Sequence, residues 1–299
     1  MGSQIESVQR YGGNHFPDYD RFVRGTLSLF INGDVDAREG SATDGVMIGA
    51  FTLVSPDFAF LDDGGVFADD TTDFTDAGTA DVALMPSTEA VNDAFYIGDA
   101  AKFSGIKITL STAGSGTAVV YEYYNTKGEW VNLATAHNLQ DDSTGLTAGT
   151  STYFITWELP TDWASTEVGD ENASGTGYFV RIRVTAASFT TVPVATQGWV
   201  LGVKSGVGVN FPTEGIVTGA SWTADTVSGS TDDTILQIVN LDKGTATTVT
   251  LTKATKAGYA DVDAVNGLAF ARGDALLIQC IKGDATEVAD VNLVLEFKQ

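Results

Sequence analysis

The sequence predicts an all-β protein made of two β-sandwiches, a larger central one and a smaller C-terminal one. Three observations carry that expectation. First, apolar residues alternate with polar ones in GIKITL, where Ile106, Ile108 and Leu110 share a face, and in YFVRIRV, where Val180, Ile182 and Val184 do. A two-residue period belongs to a half-buried strand. Second, turn clusters such as STAGSG, NTKG and GDENASGTG separate these runs at short intervals, as expected of an all-β assembly. Third, charged residues make up only 18% of the chain while glycine occupies 33 positions. Such a composition, rich also in Thr, Val and Ala, suits pleated sheets and tight turns better than helical bundles.

In chain order, residues 1–24 are polar and irregular, MGSQIESVQRYGGNHFPDYDRFVR. They concentrate Arg10, Arg21 and Arg24 among Tyr11, Phe16, Tyr19 and Phe22 in a chain of net charge −23. Arginine and aromatic side chains are enriched at interface hot spots. These seven residues are therefore the candidate docking residues of an N-terminal arm.

A central domain is expected over 25–203. GTLSLFINGD opens it, with Asn32-Gly33 read as a turn. DGVMIGAFTLV follows, ending at Ser55-Pro56, and then FAFLDDGGVFADD with Gly64-Gly65 as a turn. Five aspartates lie in FADDTTDFTDAGTADV. Hard cations favour such clusters, but no glutamate closes a twelve-residue calcium loop, so this reads as a solvated acidic loop. AFYIG, GIKITL, AVVYEYYN, EWVNL, TYFITWELP, YFVRIRVTA and TQGWVLGV supply the other strands, with WASTEV read as a short helical turn. In VVYEYYN, Tyr121 and Tyr123 share one face, and Glu122 and Tyr124 the other. The rings serve either as core or as a sugar-stacking face.

KSGVGVNFP, residues 204–212, reads as a linker. A C-terminal domain over 213–299 carries GIVTGASWTAD, TILQIVNL, TTVTLTKA, LAFARGDALLIQCI and VNLVLEFKQ. Arg272-Gly273-Asp274 reads as a turn feeding the next strand.

The charge and motif inventory narrows the function. A pI near 4.1 disfavours nucleic acid and anionic membrane surfaces as partners. No stretch approaches 18 apolar residues and the N-terminus has no apolar h-region, so neither a membrane span nor a signal peptide is expected. Cys280 is the only cysteine and reads as a buried thiol. His15 and His137 fall in segments read as loops, have no nucleophile elbow nearby and read as surface residues, and no metal-site or phosphate-loop pattern occurs. Glu122, Glu129 and Glu158 are the remaining carboxylates for a glycosidase, a weak signal in so acidic a chain. The expectation is no catalytic residue, no metal and no cofactor.

DAFYIGDAAKFSGIKITLSTAG, VVYEYYNTKGEWVNL, TYFITWELPTDWAS, GYFVRIRVTA and TQGWV, in that order over about residues 69–202, resemble a jelly-roll module of tailed-bacteriophage virion structural proteins. The C-terminal unit is similar to small β-sandwiches of phage head fibres, decoration proteins and tail tips. The resemblance implies a jelly-roll β-sandwich, a virion location and no enzyme activity, without fixing which part of the virion is meant. The Arg- and aromatic-rich arm beside two acidic sandwiches motivates a capsid decoration (cement) or head-fibre protein on the outer surface of the virion, made in the host cytoplasm. Its partners would be the major capsid protein and neighbouring copies of itself in a homotrimer. The alternative is a tail or baseplate adhesin binding host-surface glycan.

Overall fold

A computed structural model of the chain describes residues 24–34, 52–79, 81–116, 119–186, 189–202, 209–210, 214–227, 233–252, 255–261, 268–282 and 288–298. The chain begins with β1 (Arg24–Asp34), β2 (Thr52–Val54), β3 (Phe58–Asp63) and β4 (Val66–Asp69). One helical turn, α1 (Thr71–Thr75), precedes β5 (Val82–Ala83), β6 (Ala94–Asp99), β7 (Phe103–Thr112), β8 (Val119–Tyr124) and β9 (Trp130–Asn132). A second turn, α2 (Leu133–Ala136), leads to β10 (Gln140–Asp141), β11 (Thr152–Thr156), β12 (Thr166–Gly169), β13 (Ser174–Val184) and β14 (Val194–Gly202). The chain then forms β15 (Val209–Asn210), β16 (Gly215–Val227), β17 (Thr234–Asn240) and β18 (Thr245–Leu251). It ends with β19 (Ala257–Asp261), β20 (Ala269–Phe270), β21 (Ala275–Lys282) and β22 (Val288–Lys298). The protein is all-β and sandwich-like, as the alternation predicts.

The central sandwich faces the sheet β10-β11-β7-β14-β2, with β5 on β14, against β4-β3-β6-β13-β8-β9, with β12 on β13. Its core holds Phe95, Ile97, Ile106, Ile108, Tyr121, Tyr123, Trp157, Val180 and Ile182. The two-residue period decides which side chains enter it. Val180, Ile182 and Val184 are fully buried, while Arg181 and Arg183 stand on the other side of β13. The aspartate-rich run is not simply a loop. It forms α1, which carries Phe74 into the core against Phe95, ring centroids 5.2 Å apart.

The second sandwich pairs the sheets β1-β22-β16-β19 and β15-β21-β17-β18, with β20 on β16. Trp222, Leu236, Ile238, Val249, Ile278, Leu293 and Leu295 fill it. Cys280 lies buried in this core and forms no disulfide.

Four local expectations change. Gly25–Asp34, assigned from sequence to the central domain, pairs along β22, with Leu27 opposite Leu295 and Leu29 opposite Leu293. Alternation fixes which face a strand buries but does not name its neighbour. Asn32-Gly33 makes no hairpin; it lies where the β1–β22 register shifts between Ile31 and Asp34, as at a bulge. The second half of WASTEV, read as helical, is instead Thr166–Val168 of β12, paired with β13. Within the 204–212 linker, Val209 and Asn210 pair with β21.

The two sandwiches share a seam. Strand alternation turns Gln237 and Val239 of β17 and Leu277 and Gln279 of β21 away from the second core. Val239, Ala246 and Leu277 join the core cluster of the central sandwich. Leu201 and Ile281 form another cluster with Phe154 and Ile235. Buried Gln237 accepts a hydrogen bond from the Leu159 amide at 2.7 Å and donates to Ser104 Oγ at 3.1 Å. The Thr156 hydroxyl donates to the Ile281 carbonyl. At the rim, Glu158 accepts from Asn138 and Thr248, both at 3.3 Å. Burial holds the Glu158 carboxyl above its ordinary value although both hydrogen bonds oppose this. Gln237→Ala strands two buried polar partners and leaves a void. We expect it to cost about 2–4 kcal/mol, read as a lower denaturant midpoint with the slope unchanged.

Candidate functional site

Of the seven candidate docking residues, Arg10, Tyr11, Phe16, Tyr19, Arg21 and Phe22 lie outside the described residues. Arg24 opens β1, with its backbone in register opposite Lys298. It belongs to a strand rather than to an irregular arm.

The described residues that gather chemistry on one surface lie on the outer face of the sheet β4-β3-β6-β13-β8-β9. Register builds a row across five strands. Phe60 faces Tyr96, Tyr96 faces Arg181, Arg181 faces Glu122 and Glu122 faces Asn132. In the adjacent row Phe58 and Phe179 each face Gly98, and Tyr124 faces Trp130. Gly98 is required there, because a Cβ would enter the Phe179 ring. Phe60, Ala94, Tyr96, Val168, Ala173 and Phe179 form a small buried cluster on this face, with Phe58, Phe67 and Trp130 packed against it.

The charged part is tightly bonded. Arg183 reaches Glu122 through Nε and Nη2, each at 2.8 Å, and Arg181 Nε donates to the same carboxylate at 2.8 Å. Arg181 Nη1 also donates to Tyr96 Oη at 3.4 Å, and Arg183 Nη1 to Asn92 Oδ1 at 3.2 Å. The Arg181 guanidinium lies 4.4 Å from the Trp130 ring centroid, within cation–π range. Trp130 meets Tyr96 and Tyr124 edge-on at 5.6 and 5.4 Å. Burial pushes the Glu122 carboxyl upward, but the hydrogen bonds and charges of Arg183 and Arg181 outweigh it and hold the value low. Glu122 is thus held ionised and fully engaged. Such a group braces a surface or orients a ligand; it is poorly placed to take up a proton.

A second cluster links Asp162, Tyr123 and His137. Tyr123 donates its hydroxyl proton to Asp162 Oδ1 at 2.8 Å. The phenol oxygen lies 3.0 Å from His137 Nε2. Since the phenol has one proton, Nε2 carries the hydrogen in that contact. Burial, then the hydrogen bond to Asp162 and its charge, push the Tyr123 hydroxyl far up. Burial lowers His137 against the pull of Asp162. His137 is therefore half-buried and neutral near pH 7, not the loop surface residue that the sequence suggests. His15 lies outside the described residues.

The remaining candidates resolve as structure. Asp274 turns inward, accepting from Asn240 Nδ2 at 2.8 Å and the Ala271 amide at 2.7 Å. That places the carboxylate of the Arg-Gly-Asp turn in the fold's own bonding. Trp157, Trp163 and Tyr123 are core residues, while Trp130 and Trp199 are half-buried. Among the described residues, no group of three acidic, histidine or cysteine side chains is placed to hold a metal.

Asp70, next to α1, is pushed up to about 6 by burial, then by the charges of Asp73 and Asp69. Its folded-state value exceeds its ordinary 3.8, so its charged form destabilises the folded chain. That destabilisation grows as pH rises from the unfolded value through the folded one. Asp70→Asn should flatten this part of the stability profile between about pH 4 and 6, measured by denaturant titration.

No family model, curated protein or solved structure matches the chain.

The Glu122–Arg181–Arg183 brace escapes sequence reading because strand partners are not written in the alternation. One signal is present: YEYY and VRIRV each place charge on the face opposite their apolar residues.

Proposed function

We propose that this protein is a non-enzymatic phage virion structural protein, a capsid decoration (cement) or head-fibre protein that binds and stabilises the capsid exterior as a homotrimer. The observation that carries the reading is the ordered run of motifs from DAFYIGD to TQGWV, resembling virion jelly-roll modules, in a chain that folds as joined β-sandwiches. The Arg- and aromatic-rich segment before β1 is its contact with the major capsid protein. A cement protein resists internal pressure through contacts of about 1,200 Å² or more, and symmetric shells favour cyclic oligomers. The test is cosedimentation with preformed capsids of the parent phage. Removing residues 1–23 should abolish binding while leaving the melting profile in place. Unchanged occupancy would contradict the docking role.

One observation favours a second reading, an adhesin for host-surface glycan. Trp130 and Tyr124 are half-buried on an outer sheet face beside two fixed guanidinium groups. Rings stack on sugar faces while the guanidinium groups bond hydroxyls. A glycan array separates the readings. A specific sugar signal that Trp130→Ala removes favours the adhesin, and silence favours the capsid role.

A further inference from the structure

We propose that the seam between the two sandwiches holds an ordered internal water molecule bound by the side chain of Gln279. Gln279 is fully buried, and among the described residues neither its Oε1 nor its Nε2 has a hydrogen-bond partner. It stands directly opposite Gln237 in the β17–β21 ladder, so both side chains leave the same sheet face. Gln237 uses its amide to grip the central sandwich at Leu159 and Ser104. Leu277 and Ile281, two residues to either side of Gln279, pack into clusters that include central-sandwich residues. The Gln279 amide therefore points into the joint.

The chemistry selects the ligand. A carboxamide offers one acceptor and two donors and no charge. Among the described residues, no acidic group is bonded to it that would recruit a cation, and no cationic side chain that would recruit an anion. A small neutral molecule that donates and accepts fits both ends, and water is the one always available. Internal waters occur about once per 27 residues and bridge buried polar groups. An amide left dry on both ends would be strongly unfavourable. The water completes the polar part of the seam, which Gln237, Ser104 and Thr156 begin.

The test uses the full-length protein. Oxygen-17 relaxation dispersion counts long-lived internal waters in solution, with water itself as the probe. Gln279→Met keeps the side chain's length and removes its polar atoms. The variant should show at least one fewer long-lived water and an unchanged or lower melting midpoint. An equal count would overturn the proposal. So would a midpoint raised by about 2–6 °C, the response expected when a dry, unsatisfied amide is removed. If the variant does not fold, a high-resolution crystal structure of the wild-type protein decides. A water within hydrogen-bond distance of Oε1 or Nε2 supports the assignment; dry surroundings or a protein partner there contradict it.

Discussion

Replacing Glu122 with alanine is expected to lower the unfolding free energy by about 2–4 kcal/mol. The carboxylate takes three hydrogen bonds from Arg181 and Arg183, and its side chain is only 8% exposed. Alanine leaves two guanidinium groups facing one another, 17% and 20% exposed, with no counter-charge. Breaking such a group from one side costs more than the whole group contributes, because the remaining charges stay partly desolvated. Access to water through the guanidinium groups sets the lower end of the range. Urea unfolding of wild type and variant measures the difference. An effect under about 0.5 kcal/mol would mean that the group behaves as an ordinary surface ion pair. The pH dependence follows from the lowered carboxyl value. Glu122 contributes stability fully above its unfolded value, near the ordinary 4.5. That contribution is lost as pH falls through the lower folded value. In the alanine variant this acid-side loss should vanish from the stability profile.

Trp157→Ala should cost about 3–5 kcal/mol. The ring is fully buried and meets Phe103 and Trp163 edge-on at 5.8 and 6.4 Å. Its backbone amide bonds Ser104, which in turn receives Gln237 from the second sandwich. The void would open in the central core, next to Phe103 and Trp163. Trp157→Phe keeps a ring and removes an indole N–H that has no partner among the described residues. It should cost less than half as much. Thermal unfolding by far-UV and near-UV circular dichroism checks both variants. If alanine and phenylalanine cost the same, ring packing is not what holds this position.

The sequence makes the period legible and leaves the partners hidden. Val180, Ile182 and Val184 announce an inward face, and Arg181 and Arg183 an outward one, because side chains alternate across any strand. Nothing in GTLSLFINGD states that it lies beside VNLVLEF rather than beside a nearer strand. Hydrogen bonding between strands is carried by backbone that every residue has. For the same reason the outer face was half readable. Tyr124 and Glu122 share a side by parity, but their meeting with Trp130 and Arg181 depends on strand order. His137 misled for a different reason. Its polar neighbours suggest a solvent loop, yet α2 turns the chain so that the ring lies against Tyr123, centroids 5.0 Å apart. The seam was invisible, since Gln237 and Gln279 read as polar breaks in apolar strands. They serve a second interface, on the sheet face turned away from their own core.

The most direct test of the functional reading is the protein's position on the particle. Gold-labelled antibody against the purified protein, imaged by electron microscopy on virions of the parent phage, should decorate the capsid shell at many regularly spaced points. Label confined to the tail tip, or absent from intact particles, would contradict a capsid decoration role.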